Sequence, residues 1–472
     1  MINKKKIVIV GGGITGLSAM MEMQKRVLNE DLPVELLLVE AEPRLGGKIE
    51  TVKHAGYIIE RGPDSFLERK TAMAELAAEV GVAEQLVNNA TGQAYIAMNG
   101  KLYPIPAGSI MGVPTNEESF LESGLFSDEA KKRAMDDFKI EKSPAEIDQS
   151  MGQFFRRRLG DEVVENLIEP LLSGVYGGNL DEMSLLSTYP QFYEVEQKYG
   201  SLIGGLREQA KENVKKMPYR GAVKGMFQNF STGLQTLVDA IEAHIPKEKV
   251  RLSSPVIKIL ADSGSYRLEF ADGNFISADS IILTTPHEIS VQLLAAYGVM
   301  EGFADIPSTS VVTIAMGFPA EALKKDFDGT GFLVSRNSDF SITACTWLHK
   351  KWPHTTPAGK ITLRVFMGKP GDERYVTLSD EELISLALKD LRQIMDLDGE
   401  PEFAEISRLT NSMAQYTVGH KARLEEARKT LAEKLPGTFI AGMSYDAIGL
   451  PDNVVAGRKY GNEALNFVMK QR

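Results

Sequence analysis

The sequence predicts an α/β protein, α+β overall, in which the two ends of the chain build one parallel-sheet domain and other domains are inserted between them. Three observations carry this. Ile7-Val8-Ile9-Val10 is a short β-branched run closed by glycines, the pattern of a strand buried on both faces. Thr438-Phe439-Ile440-Ala441-Gly442 repeats that pattern near the far end of the chain. Between them, residues 118–206 read as largely helical, while 309–318 and 361–367 read as long strands of an antiparallel sheet.

The elements follow in order. Residues 17–28 carry helix formers, with apolar positions at Leu17, Met20, Met21 and Leu28. Residues 34–39 form a second buried strand ending at Glu40, which completes a β-α-β unit of ordinary length. Tyr57-Ile58-Ile59 begins a third extended element leading into Gly62-Pro63-Asp64-Ser65-Phe66. The stretch 151–172 is amphipathic, and Pro190 with Gly200, Gly204 and Gly205 closes the helical region. Strand-like alternation returns at 250–260, 266–270 and 281–285, and a last helix is expected from about Asn453. There is no internal repeat and no low-complexity segment.

Composition narrows the class. With 472 residues, 43% hydrophobic and 25% charged, the chain reads as a soluble protein of two or three domains. A net charge of −11 argues against broad nucleic-acid binding, although a small pocket on an acidic protein can be locally basic. The single cysteine, Cys345, allows neither an internal disulfide nor a thiolate metal cluster, and the six histidines are scattered, so no metal site is expected. Lys4-Lys5-Lys6 precedes too short an apolar run for a signal peptide, and no stretch is long enough to span a bilayer. A cytoplasmic protein with at most peripheral membrane contact is expected. Phe154-Phe155-Arg156-Arg157-Arg158 reads as the solvated basic face of an amphipathic helix, or else as a membrane or partner contact.

Three motifs carry the chemistry. Gly11-Gly12-Gly13-Ile14-Thr15-Gly16 joins the first strand to the first helix. Gly11 permits the tight turn, Gly13 removes bulk where a pyrophosphate approaches, and Gly16 lets helix and sheet pack closely, so that free helix N–H groups face the phosphates. Glu40, at the end of the next strand, stands where a carboxylate accepts ribose hydroxyls. Arg44-Leu45-Gly46-Gly47-Lys48 follows: its paired glycines can lie against a pyrophosphate whose charge Arg44 can neutralise. Near the C-terminus, Ala441-Gly442 precedes Tyr445 and Ile448-Gly449-Leu450-Pro451, where a second helix start could stabilise negative charge.

E-x-x-x-R-x-G-G, formed by Glu40 to Gly47, resembles the glutathione-reductase-type FAD proteins of the amine-oxidase group. Glu60 to Phe66, Leu171 to Asn179, Ser231-Thr232-Gly233-Leu234 and Met413 to His420 together resemble the protoporphyrinogen/coproporphyrinogen oxidase family almost end to end. The closest likeness is to its soluble Gram-positive type, which acts on coproporphyrinogen III in haem biosynthesis. The resemblance implies a Rossmann FAD domain (1–90, 230–290 and 405–472), an inserted antiparallel-sheet substrate domain (91–105, 207–229 and 291–404) and a helical domain (106–206). It implies non-covalent FAD at Gly11–Gly16, Glu40, Ala41, Arg44, Gly46, Gly47 and Lys48. Gly62, Pro63, Asp64, Ser65, Val256, Leu409, Gly442, Ile448, Gly449 and Leu450 complete the expected cofactor set.

Flavin N5 would take hydride and O2 would reoxidise the flavin, so no side chain is assigned as catalytic. Porphyrin passes on to a chelatase under this reading. Four substrate propionates call for cations: Lys70 is one candidate or a surface lysine, and Arg364 is another or the partner of a carboxylate. Tyr176 and Phe332 either pack on the macrocycle or belong to the core. Leu409 and Ala414 stand where the family often has Trp and Pro, and Gly178-Asn179 replaces the more usual Gly-Asp. Protoporphyrinogen IX oxidation, amine oxidation, carotenoid desaturation and a non-catalytic porphyrin-binding flavoprotein are the alternatives.

Overall fold

A computed structural model describes residues 4–144, 147–216, 225–262 and 264–470; the side chains of 175–176 and 213–216 are outside that description. The five-stranded parallel sheet runs Val250–Arg251, Val34–Val39, Lys5–Val10, Ser280–Leu283, Thr438–Ile440, so strands from both ends of the chain pair side by side. Ile7 sits between Leu36 and Ser280, and Leu283 pairs with Ile440. The ends Val10, Val39, Leu283 and Ile440 therefore lie together, the edge at which such sheets bind ligands.

Helix Ile14–Asn29 starts directly after the first strand, and helix Leu450–Lys470 crosses it. The crossing is close because Gly457 and Gly461 lack side chains: a Cβ at Gly457 would lie 2.2 Å from the Thr15 carbonyl, and one at Gly461 would lie 3.0 Å from that of Ala19. The expected helix starts at 17 and 453 are thus three residues late at each end.

The second sheet has seven strands in the order Phe403–Ala414, Ser308–Pro319, Lys360–Met367, Ile342–Trp347, Gly331–Val334, Tyr95–Met98, Lys101–Pro104. All neighbours are antiparallel except Gly331–Val334 with Tyr95–Met98. Helix Asp380–Met395, begun by a capping box between Ser379 and Glu382, buries Leu383, Leu388 and Leu391 in the cluster that holds Ile314, Met316 and Leu363. Strand Phe403–Ala414 pairs along its length with Ser308–Pro319, so the division expected at 405 falls inside a strand of this sheet. The division expected at 206/207 falls inside helix Leu202–Lys216, which packs on helix Pro190–Tyr199.

The alternation at 250–260 is two strands. Ser253, at φ 49°, turns the chain, so Val250–Arg251 joins the parallel sheet while Val256–Asp262 begins a separate antiparallel sheet with Ser265–Phe270 and Phe275–Ala278. Likewise 151–172 is not one helix. Helix Met151–Leu159 stops at Gly160, whose φ of 87° disfavours any side chain, and the chain restarts through a π-helical segment, Val164–Ile168, into Glu169–Tyr176.

The basic run on Met151–Leu159 is not a solvated face. Arg158 is fully buried: its Nε donates to Glu196 at 2.7 Å and its Nη1 to Asp137 at 3.1 Å, with the Asp137, Ile140 and Glu141 carbonyls taking further donors. Arg157 also donates to Glu196, and Arg156 meets Asp161, Glu165 and Asp181. Removing one member of a buried pair strands the other. Arg158→Met is expected to lower the unfolding free energy by about 3–5 kcal/mol, read as a fall in the urea midpoint.

Candidate flavin site and adjoining chamber

The glycine loop crosses the ends of the parallel strands. Gly11 N donates to the Val39 carbonyl at 2.8 Å, and Thr284 Oγ1 donates to the Gly11 carbonyl at 2.9 Å. A Cβ at Gly16 would lie 2.0 Å from the Gly11 carbonyl, and one at Gly12 would lie 2.6 Å from Leu45. At Gly13 a Cβ would meet nothing within 4 Å. Gly13 is also the N-cap of helix Ile14–Asn29 and supplies no side-chain cap. An uncapped helix start thus opens on free space, and that arrangement fits a diphosphate.

Glu40 borders this cradle. Its Oε2 accepts from Gly12 N at 2.5 Å and its Oε1 from Glu42 N at 2.8 Å, which fixes the carboxylate at the rim. Ala41 is exposed beside it, and Val256 lies in one buried cluster with Val10 and Val39. Gly46 bridges to Gly13, and Gly46 N donates to the Gly12 carbonyl at 2.9 Å, so the two glycine motifs form one wall. Arg44 departs from expectation. Its guanidinium donates to the Leu45, Gly47 and Ile49 carbonyls and meets Glu50 at 3.4 Å, so its donors shape the loop rather than face the cradle.

Lys48 links the cradle to the second sheet. Its Nζ donates to the Ser412 carbonyl and stands 4.0 Å from Met443 Sδ, just past Gly442. Its side chain faces open space within a deep surround, and that burial pushes the ammonium down to about 8, against the opposing pull of Glu288.

The closing motif is tied to the opening one by Asn453. It accepts from Thr15 Oγ1 at 2.7 Å and donates to the Ala447 and Gly449 carbonyls, holding Ile448-Gly449-Leu450 at the start of helix Leu450–Lys470. Gly442, at φ 119°, lies against Thr15 Oγ1, where a Cβ would come within 3.3 Å.

The segment Gly62 to Ser65 lies under the second sheet. A Cβ at Gly62 would lie 1.8 Å from the Lys48 carbonyl, and Arg364 Nη2 donates to the Gly62 carbonyl at 2.6 Å. Pro63 is half-buried beside Asp64, whose carboxylate accepts from Ser65 Oγ at 2.7 Å and from Lys351 Nζ at 2.9 Å. Burial pushes the Asp64 carboxyl up, but Lys351 and then Arg364 outweigh it and hold the group down at about 2. Glu60, raised by burial, accepts from Leu234 N, Thr51 and Asn229. The Glu60 and Ser231–Leu234 motifs therefore occur together because the carboxylate of one receives the backbone of the other.

A second pair of motifs meets in the same way. A Cβ at Gly177 would lie 2.7 Å from Met413 Sδ, and one at Gly178 would lie 2.2 Å from Gln415 Oε1. Ser184 N donates to the Tyr416 carbonyl at 2.8 Å. A cavity of about 220 Å³ opens here, with Asn179, Met183, Ser308, Thr309, Glu373 and Gln415 among its walls. Asn179 Nδ2 donates to Glu182 at 3.2 Å, so an aspartate at this position would set two carboxylates against each other. Ala414 pairs with Ser308 at the chamber wall, while Leu409 is half-buried on the edge strand opposite Val311. A larger cleft of about 480 Å³, between Met98 and Asn337, shares no residue with the glycine motifs.

The three substrate candidates whose side chains are described are not brought together. Lys70 Nζ is gripped by both Asp452 oxygens at 2.7 Å, because the turn before helix Ala72–Glu79 faces the start of the last helix. Arg364 is 1% exposed within its sheet, so it anchors Gly62 rather than reaching a cavity; burial lowers its pKa and Asp64 and Glu60 oppose that. Phe332 is 2% exposed and edge-on to Trp347, which is a core position. Tyr176 ends its helix, and its side chain lies outside the described residues. Sequence reasoning missed Thr284, Lys351, Asn453 and the pair His287–Glu288. Only Thr284 carried a signal, as the end of a buried strand. Among the described residues no acidic, histidine or cysteine cluster could hold a metal, and no helix is long and apolar enough to cross a membrane.

The fold and this cradle define a flavoprotein. The family model for flavin containing amine oxidoreductases matches residues 14–459, and the chain belongs to that family. It is 48% identical to a coproporphyrinogen III oxidase of Bacillus subtilis, covering 98% of this chain and 99% of that one. It is 40% identical to a coproporphyrinogen III oxidase of Staphylococcus aureus over the same 98%, covering 99% of the relative. A solved structure from Exiguobacterium, described provisionally as a protoporphyrinogen oxidase, superposes with a TM-score of 0.88 at 38% identity, covering 99% of this chain and all of the other. Putrescine oxidase shares the fold at 16% identity and a TM-score of 0.69, covering 98% and 99% of the two chains.

Proposed function

We propose that this protein is a cytoplasmic, FAD-dependent oxidase that converts coproporphyrinogen III to coproporphyrin III, with O2 as the terminal oxidant. The observation that carries the reading is the meeting of Gly177-Gly178 with Met413 to Gln415 around the chamber, joined to the glycine cradle by Lys48. The near full-length similarity to two coproporphyrinogen III oxidases supports the substrate. The plant protoporphyrinogen oxidases are more distant, with spinach at 28%, which makes protoporphyrinogen IX the second reading.

FAD would be held non-covalently: diphosphate at Gly13 and the helix start, ribose hydroxyls at Glu40, and negative charge near the start of helix Leu450–Lys470. When bound, the flavin supplies a two-electron acceptor, and three such steps remove six electrons at the cost of three O2 reduced to H2O2. The protein's share is to orient and enclose. The Gly62–Ser65 segment is held by Arg364 at the Gly62 carbonyl and by Lys351 at the Asp64 carboxylate, and the chamber wall is set by Gly177, Gly178 and Gln415. At about 220 Å³ the chamber is below the roughly 300–1,000 Å³ usual for small-molecule sites, so it accepts one edge of a tetrapyrrole. The product then passes to a chelatase.

The test is anaerobic mixing of the FAD-loaded protein with each porphyrinogen, followed by admission of oxygen. Coproporphyrinogen III is expected to bleach the flavin fastest, with H2O2 appearing on reoxidation. Bleaching by neither porphyrinogen would sink the oxidase reading, and faster bleaching by protoporphyrinogen IX would reverse the substrate order.

A further inference from the structure

His287 and Glu288 stand in the first turn of helix His287–Leu294, which begins shortly after strand Ser280–Leu283 and Thr284. His287 is 1% exposed. Its Nε2 lies 2.9 Å from the Ile306 carbonyl, and a carbonyl only accepts, so Nε2 carries a proton. Its Nδ1 makes no hydrogen bond and lies 3.2 Å from Glu288 Oε2. A bare nitrogen lone pair facing a carboxylate oxygen is repulsive; a proton between them removes the conflict. The other Glu288 oxygen accepts from Ser308 Oγ at 2.5 Å, and Ser308 is part of the chamber wall. The Glu288 side chain is itself 34% exposed. A line of exchangeable groups therefore runs from the chamber through Ser308 to a half-exposed carboxylate, with a buried imidazole behind it.

We propose that Ser308 and Glu288 are the route by which the chamber loses protons, with His287 as the positioning residue that shares a proton with Glu288. This rests on the oxidase reading. In each two-electron oxidation a substrate C–H bond would break with its hydride passing to the flavin, and a second substrate hydrogen would leave as a proton, from a pyrrole N–H in two of the three steps and from a bridging carbon in the third. That proton passes to Ser308 Oγ as the Ser308 hydroxyl proton passes to Glu288, and Glu288 releases it to water. The substrate loses two electrons and two hydrogens, and the acceptor gains two electrons and one hydrogen. Other charged or titratable groups face this line. Lys48 and Tyr445 act on Glu288, and His420 faces His287; Glu373, on the far side of the chamber, approaches Ser310 N at 3.4 Å. His420 is held neutral, since burial pushes its imidazole down to about 4.

Stopped-flow reduction of the FAD-loaded protein by coproporphyrinogen III, from pH 6 to 9, tests the route. Ser308→Ala and Glu288→Gln are each expected to slow reduction at least tenfold at unchanged FAD content, within the roughly 10²–10⁴-fold span of proton-transfer groups, and Ser308→Thr is expected to restore it. Rates within twofold of the parent for both variants across the pH range would overturn the route. A second readout needs no substrate. In imidazole-¹⁵N-labelled resting protein, the His287 Nδ1 signal should show a shared proton in the parent and a bare nitrogen in Glu288→Gln. The bare form in both would overturn the pairing. If neither porphyrinogen reduces the parent flavin, the oxidase reading fails, and the imidazole signals still decide the pair.

Discussion

Gly13→Ala is expected to leave the flavin-free chain within about 1 kcal/mol of the parent, the scale of an N-cap change, while weakening FAD binding by roughly 10–100-fold. The reasoning is local. Gly13 has φ −71° and ψ 177°, an extended geometry that alanine adopts freely, and its Cβ would project into space where no protein atom lies within 4 Å. Any penalty must therefore come from what fills that space in the loaded protein. Gly16→Ala is the contrast, because its Cβ would lie 2.0 Å from the Gly11 carbonyl and backbone would have to shift. That variant is expected to lose stability whether or not flavin is present. Thermal unfolding of the flavin-free proteins and fluorescence titration with FAD separate the two effects. Equal FAD affinity in Gly13→Ala and parent would remove the diphosphate from this position. Equal destabilisation by Gly13→Ala and Gly16→Ala would make both residues ordinary packing glycines.

The same two glycines indicate what a sequence can reveal about such a site. The strand, the glycine loop and Glu40 are contiguous or nearly so, and each has a steric or hydrogen-bonding reason that a string of residues displays. The parallel pairing of Thr438–Ile440 with Ser280–Leu283 was legible as a repeated strand pattern, which brought both chain ends into one sheet. Charge partners were not legible in the same way. Lys70 beside Asp452, Lys351 beside Asp64, and Ser308 beside Glu288 each join side chains far apart in sequence, and nothing in the local pattern of either partner names the other. The substrate cations were misplaced for that reason: Arg364 has the chemistry of a carboxylate ligand, and its burial in the middle of a strand turns the guanidinium towards Gly62 instead. Domain divisions missed at 405 because a strand's alternation marks its faces and not the sheet it joins.

Lys351→Met is expected to lower the unfolding free energy by about 3–5 kcal/mol, because it strands a buried carboxylate. Asp64 and Lys351 have side chains only 16% and 12% exposed, and their 2.9 Å contact is reinforced by Phe227 and Trp352, whose ring centroids lie 5.3 and 5.7 Å from the ammonium. Methionine keeps the apolar stem and removes only the charge, so lost packing does not explain the effect. The pH dependence gives an independent check. The Asp64 carboxyl lies at about 2 when folded, below its ordinary 3.8, so the folded state binds fewer protons than the unfolded one in that window. The pair's stabilisation is therefore complete above about pH 4 and is lost as pH falls towards 2, an effect of about 2 kcal/mol. In Lys351→Met that acid-sensitive part should shrink or reverse sign, since burial alone pushes the carboxyl upward. Asp64→Asn combined with Lys351→Met removes both charges and should recover most of the loss, whereas Asp64→Asn alone leaves an ammonium unpaired against two rings. Urea midpoints for the four proteins at pH 7 and close to pH 2 close the cycle. A double variant no more stable than Lys351→Met would show that Lys351 acts through its ammonium over the Phe227 and Trp352 rings, with Asp64 a bystander.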